Sequence, residues 1–433
     1  MAFDQENNRK RQNRRTHDRT RRRKRRQQHQ RRIILGLIAG ATVLLLCGLL
    51  IFLLQPKNSP APTEPTTDPT IPSQTEPLEP QTVISIAFGG DINITDRVVA
   101  AGATGSGYRY TDVLMDVAPI FSGADAAVVN LEGNLYGTPY GSQTTSVPQA
   151  MMDALAAAGV DLIQMANSCS INNGITGLQQ TLAGIRNSGM EPIGAYSTNE
   201  EFENSRGFTL REINGVKVAF VAFTKGFIRG EDVLGLPQGS EHCVNVLYKD
   251  YTSAYSQIDT EGITSILRAV EREKPDVTIA LLHWGSAYNS IISESQTQIV
   301  KLMQKEGVDA IIGTHSHYVQ TVDYNAEAGT LVAYSLGDLL GNAQENYTNA
   351  STILQLEITK DNLTGKTTIS GYEHTPVYIA TPEKDGVDHL KLLRIEQAMA
   401  AYDANSIHKI SDSTYNAMKS ALNRIKARVE PDA

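Results

Sequence analysis

At 433 residues the chain has room for two domains, or for one large α/β domain with appendages. Its net charge of −8 hides an asymmetry: residues 1–32 carry 14 Lys/Arg against Asp4, Glu6 and Asp18, a balance of +11 that leaves −19 on the remainder. The three cysteines, Cys47, Cys169 and Cys243, show no CxxC or zinc-finger spacing, which removes the zinc-finger class.

A block as basic as 1–32 reads as nucleic-acid or anionic-lipid binding. The next segment decides between them. Ile33 to Leu54 is 22 residues without a charge. At helical rise it covers roughly 30 Å, the hydrocarbon core of a bilayer. A cleaved signal peptide is the rival, but its apolar region runs to only about 7–15 residues before a small-residue site. Here Gln55-Pro56-Lys57 follows, so 33–54 is expected to be an uncleaved transmembrane anchor. The positive-inside rule then puts the N-terminus in the cytoplasm near anionic lipid and the rest of the chain outside the cell membrane, with no nucleic-acid partner. Residues 55–82, rich in Pro and Thr, read as a stiff spacer.

The folded domain is expected over 83–385, followed by a C-terminal helical segment at 386–433. Strands are predicted at 83–88, 125–131, 159–166, 190–195, 276–282 and 308–312. Helical patterns lie between them at about 110–121, 148–158, 174–188, 260–273 and 293–306. This alternation predicts an α/β fold with a largely parallel sheet. Asn214-Gly215, between apolar runs 208–213 and 216–223, predicts a hairpin with a type I′ turn. The segment 225–258 is poorly patterned and glycine-rich, as expected of a functional or mobile insertion that covers a site. Beyond His317 the pattern turns to strands at 317–322, 330–336, 351–359 and 366–375, then helices at about 387–402 and 412–428.

Polar groups suited to metal recur where apolar runs end. Val308–Ile312 leads into Gly313-Thr314-His315-Ser316-His317, and Val277–Leu282 into His283-Trp284-Gly285. Val83–Phe88 leads to Gly89-Gly90-Asp91, with Asn93 and Asp96 close behind. Two further runs end in Asn130-Leu131-Glu132 and in Asn167-Ser168-Cys169. In an open α/β sheet, strand carboxyl ends converge on one edge. Neutral imidazoles and carboxylates there suit a divalent metal, expected to be Mn, Zn or Fe. Two carboxylates (Asp91, Glu132) and three imidazoles (His283, His315, His317) could hold one or two ions, and paired ions are a hydrolase design. Glu132 is a ligand or base. Taken singly, each group has a plain structural reading: Trp284 as packing, Asp91 as a helix cap, the histidines as loop residues.

This set, with Tyr334-Ser-Leu-Gly337, resembles the CapA family of poly-γ-glutamate capsule synthesis proteins, which have a calcineurin-like metallophosphoesterase fold. The resemblance runs over roughly 83–340 with the motifs in order. It implies a four-layer α/β/β/α sandwich and a role in making, exporting or processing an anionic envelope polymer, alone or with its synthase. It implies one metal at Asp91 and His317, another at His283 and His315, and a bridge near Asn130 or Glu132. Two motifs depart from the family. Ala166-Asn167-Ser168-Cys169 stands where the family reads Ala-Asn-Asn-His, putting Cys169 at a catalytic position, and Asp338 stands where the family has Asn. A non-catalytic accessory domain with a degenerate site is the competing expectation. Cys169 and Cys243 allow one disulfide, left open.

Overall fold

A computed structural model describes residues 80–344, 347–404 and 410–430. The basic tail, the apolar run 33–54 and residues 55–79 of the spacer lie outside the described residues. Among the described residues no helix is long and apolar enough to cross a membrane.

Four parallel strands begin the domain: β1 (Gln81–Asn93), β2 (Ala126–Glu132), β3 (Leu162–Gln164) and β4 (Glu191–Ile193), side by side in that order. A second sheet follows from β5 (Phe208–Ile213), β6 (Val216–Thr224), β7 (Val277–His283), β8 (Ala310–Thr314), β9 (Val322–Asn325) and β10 (Thr330–Ala333). Its order is β9-β10-β8-β7-β6-β5, with β6, β7, β8 and β10 parallel. The chain then returns to the first sheet. β11 (Asp338–Leu340) pairs with the end of β1 on the edge away from β2, and along that same edge β12 (Ala350–Asp361), β13 (Thr367–Ala380) and β14 (Lys391–Arg394) extend the sheet antiparallel.

The central strands are buried throughout because both faces are covered: every residue of β2 and β7 is buried. One apolar cluster joins Ile86, Phe88 and Val128 of the first sheet to Phe220, Leu281 and Ile312 of the second. It continues to Met152 and Leu155 of helix Ala150–Ala157 and Leu182 of helix Gly174–Asn187. A second cluster places Val221, Leu282 and Ile311 against Leu267 and Met303 of helices Thr260–Glu273 and Glu294–Lys305. Both helices have defined starts: Asp259 accepts from the Gly262 N–H, and Ser293 and Gln296 form a reciprocal capping box.

The β5–β6 hairpin turns on Asn214 (φ 48°) and Gly215 (φ 83°), as the Asn-Gly pair predicts. Three expectations need correction. The helix expected at 110–121 is two pieces, Thr111–Leu114 and Ala118–Gly123, and Pro119 in the first turn of the second starts a new helix. The strand expected at 317–322 begins only at Val322, because His315 (φ 88°) and His317 (φ 58°) are left-handed and reverse the chain. The helix expected from 387 starts at Ile395. Lys391–Arg394 instead closes the sheet edge against β13, with Leu390 and Leu392 in the core.

Candidate metal centre

The strand ends meet where the two sheets join. β1 delivers Asp91 and β2 delivers Asn130 and Glu132, with Asp91 opposite Asn130 in register. β11 enters beside β1 and places Asp338 opposite Asp91. That approach requires Gly90: a Cβ there would lie 1.9 Å from the Gly337 carbonyl oxygen. From the second sheet, β7 ends in His283 opposite Thr314, and β8 runs into His315 and His317. Gly313 is needed for the same kind of reason, since its Cβ would meet the Tyr334 carbonyl at 2.0 Å.

Two buried groups result. Glu132, His283 and His315 each offer one ligand atom, all within 4.8 Å of one another, and Asp91, His317 and Asp338 do the same. In this geometry Asp91 falls with His317, and His283 with His315. Asp338, at the position that departs from the family, completes one group.

Hydrogen bonds fix these side chains. Asp91 Oδ2 accepts from the His315 backbone N–H at 2.9 Å, tying the left-handed turn to β1. Its Oδ1 accepts from Asn130 Nδ2 at 2.6 Å. Asn130 Oδ1 in turn accepts from Asn167 Nδ2 at 3.0 Å. Thr314 Oγ1 lies 3.1 Å from His283 Nδ1, leaving His283 Nε2 facing Glu132 Oε1 at 3.8 Å. His317 Nδ1 pairs with Asp338 Oδ1 at 2.7 Å.

Glu132 Oε1, His283 Nε2 and His315 Nδ1 are all buried without a hydrogen-bond partner. Buried polar atoms are ordinarily satisfied. Three orphans of ligating type in one group fit a cation. The electrostatics agree. Burial raises Asp91 to about 6, raises Glu132 well above its usual range with help from the Asp91 charge, and raises Asp338. Burial pushes His283 and His315 well down, so both imidazoles are neutral and carry a free lone pair. Burial would also lower His317, but the adjacent Asp338 carboxylate outweighs it and lifts the group to about 10. Three buried carboxyls meet a single imidazolium here, and a divalent ion would favour their ionised forms.

The remaining candidates divide. Asn167 holds Asn130 and also donates to the Leu131 carbonyl. Cys169 Sγ lies 4.0 Å from Glu132 Oε2, and burial, with the Glu132 charge, raises its thiol so that it keeps its proton. Ser168 contacts Cys169 and accepts from the Ile228 N–H through its carbonyl. Cys169 and Cys243 are both free and buried. Trp284 packs in the second core, stacked on Tyr334, with Nε1 donating to the Tyr334 carbonyl. Asn93 lies opposite Glu132 in register. Asp96 is held by Ser142 at a helix start.

Sequence reasoning missed Thr314, Tyr288 and Lys225. Tyr288 stacks on His317 at 4.7 Å between ring centroids. Lys225 directly follows β6, and its backbone N–H donates to the His283 carbonyl at 2.8 Å. The rule that picked out His283, a polar residue ending an apolar strand, applies equally to Lys225.

The sequence pattern of the family described as Bacterial capsule synthesis protein PGA_cap matches residues 85–343. The chain belongs to this family. The capsule biosynthesis protein CapA of Bacillus anthracis is 24% identical over 219 residues, 50% of this chain and 48% of that protein. The match thus spans about half the length of that relative. Among solved structures, the calcineurin-like phosphoesterase YfkN from Bacillus subtilis is similar at 17% identity and TM-score 0.39, covering 80% of this chain and 98% of that one. A novel phosphatase from Mycoplasma pneumoniae is similar at 14% identity and TM-score 0.40, covering 68% and 94%. The family read from the strand-end motifs is therefore the family of this chain, and the matched stretch contains both ligand groups.

Proposed function

We propose that this PGA_cap protein is a membrane-anchored, extracellular, metal-dependent hydrolase acting on a phosphate or amide bond of an anionic envelope polymer during its synthesis, export or processing. The observation that carries the reading is the pair of buried ligand groups, in one of which all three residues hold an unpartnered ligating atom. The packing order of helix, sheet, sheet and helix supports a four-layer sandwich of the metallophosphoesterase type. The family and the CapA relative support the capsule context. The uncharged run 33–54 is the anchor, the Arg-rich tail lies against anionic lipid in the cytoplasm, and the stretch from 55 to the start of β1 at Gln81 spaces the domain from the bilayer.

A bound divalent ion supplies Lewis-acid polarisation of a phosphoryl or carbonyl oxygen and makes water acidic near neutral pH. The chain's residues do the rest. Asp91, Glu132, His283, His315, His317 and Asp338 would hold the ions. Thr314 orients His283, and Asn167 orients Asn130. Cys169 keeps its proton on Sγ beside the Glu132 carboxylate, a weaker donor to a leaving group than imidazolium.

That last feature favours a second reading, a non-catalytic accessory that binds the polymer or its synthase through the metal. The test is elemental analysis of the full chain in detergent after supplementation with manganese or zinc. Activity is then followed on a generic phosphodiester and on poly-γ-glutamate, and should vanish in His315→Ala. A chain that takes up no metal sinks both readings. Metal without any turnover leaves the accessory.

A further inference from the structure

We propose that Lys225 is the anion-recognition residue of this site, gripping an oxyanion of the substrate, a phosphate or a carboxylate, beside the Glu132–His283–His315 group. The proposal deepens the hydrolase reading and rests on it for the identity of the substrate. Lys225 is the first residue of the segment 225–258, which opens with a short antiparallel hairpin of Phe227–Arg229 and Asp232–Leu234. Thr224 before it pairs with His283, so its side chain leaves β6 alongside the end of β7. Its ammonium donates to the Gly285 carbonyl at 2.7 Å, two residues past His283, and stands 4.7 Å from the centroid of the Tyr255 ring.

The side chain is half-buried, yet among the described residues no carboxylate forms an ion pair with it. Lys217, Lys249, Lys360 and Lys426 each sit against a carboxylate. A partly desolvated ammonium held by one carbonyl and one aromatic face has spare donors. Removing a charge from water without a counter-charge is costly, and such costs concentrate at functional sites. The missing counter-charge is the ligand. The segment is pinned where this requires: the Ile228 N–H donates to the Ser168 carbonyl and Arg229 to the Asn172 carbonyl. The segment Lys225 opens is thereby tied to the turn that carries Cys169, while Lys225 itself is held at the end of β7.

The experiment uses the full chain in detergent, manganese-loaded and metal-free, titrated calorimetrically with inorganic phosphate and with γ-linked triglutamate. The key variant is Lys225→Gln, whose amide still reaches for the Gly285 carbonyl but carries no charge. Loss of one charge-assisted hydrogen bond should weaken anion binding about ten- to a hundredfold, with manganese content and melting temperature unchanged. A Lys225→Arg variant keeps the charge and should bind more tightly than Lys225→Gln. Lys225-dependent binding of phosphate points to a phosphodiester substrate, and of triglutamate to a γ-glutamyl one; either carries the proposal. Equal affinity in wild type and Lys225→Gln, or no binding of either anion by wild type, overturns it. Lys225-dependent phosphate binding by a chain that takes up no manganese would remove the metal reading and leave this one standing. An independent readout needs no variant: phosphate should protect Lys225 from acetylation, scored by mass spectrometry, and an unprotected Lys225 overturns the proposal.

Discussion

Replacing Thr314 with valine should weaken metal binding while leaving the fold intact. For His283 to face a cation with Nε2, its proton must sit on Nδ1, and that N–H needs an acceptor. Two groups lie near Nδ1: Thr314 Oγ1 at 3.1 Å and Asn130 Nδ2 at 3.4 Å. The amide nitrogen is a donor, and its carbonyl oxygen is engaged by Asn167. Thr314 Oγ1 is therefore the acceptor that fixes the metal-ready tautomer. Valine keeps the branched shape of a buried residue and removes this acceptor. The loss of an outer partner of a metal-bound histidine costs about 10–100-fold in affinity. The same range follows from leaving a buried N–H unsatisfied, about 1–3 kcal/mol. The assay is competition of the Thr314→Val chain against a chelator for manganese and zinc, with thermal melting of the metal-free protein as control. Affinity within about threefold of wild type, with normal melting, would refute the assigned tautomer and with it His283 Nε2 as a ligand.

Cys169→His restores the imidazole that the family carries and should raise turnover on a phosphodiester by roughly tenfold or more, measured as kcat at fixed metal load. In the metal-free chain His283 and His315 are held below their ordinary 6.5, so the folded state binds fewer protons than the unfolded. Their contribution to stability therefore falls as pH drops below about 6.5, and urea midpoints between pH 7 and pH 5 should show it. His317, raised to about 10, has the opposite sign: its contribution is complete below 6.5 and lost as pH climbs through 10. Asp338→Asn should flatten that alkaline loss. Gly313→Ala, whose methyl would lie 2.0 Å from the Tyr334 carbonyl oxygen, should cost roughly 1–3 kcal/mol or more and lower the melting temperature.

What could be read from the sequence was whatever depends on a short stretch of chain. Buried parallel strands such as Val277–His283 are continuous apolar runs, and the end of such a run is visible as the first polar residue. That is why Asp91, Glu132, His283 and His315 stand out as candidates, and why Asn214-Gly215 gives the hairpin. Lys391–Arg394 was read as helix because edge pairing with β13 is a long-range fact that four residues do not announce. Thr314 owes its role to a neighbour 31 residues away, and no local pattern marks such a partner, whereas Asp338, 21 residues from His317, stands out only by its departure from the family motif. Lys225 is legible by the strand-end rule but opens a segment whose short hairpin, Phe227–Arg229 with Asp232–Leu234, leaves no clear pattern in the sequence.

The division of ligands between the sheets has a consequence of its own. Asp91, Glu132 and Asp338 come from the first sheet, whereas His283, His315 and His317 follow strands of the second. Each group therefore takes its carboxylates from one sheet and its imidazoles from the other. A cation in either group is bonded across the seam. Without it, three buried carboxyls face one another across a short distance, and the raised Asp91 and Glu132 express that repulsion and burial. His317 clamps only the Asp91–Asp338 group, through its pair with Asp338. Glu132, His283 and His315 have no such internal closure. Metal should therefore enter that group as a stabiliser of the packing between sheets. By mass action, an ion at a hundred times its dissociation constant adds about 2.7 kcal/mol, so melting should rise with manganese concentration. His315→Ala should abolish most of that rise. Asp338→Asn should leave a larger share, because the group it alters already closes on itself.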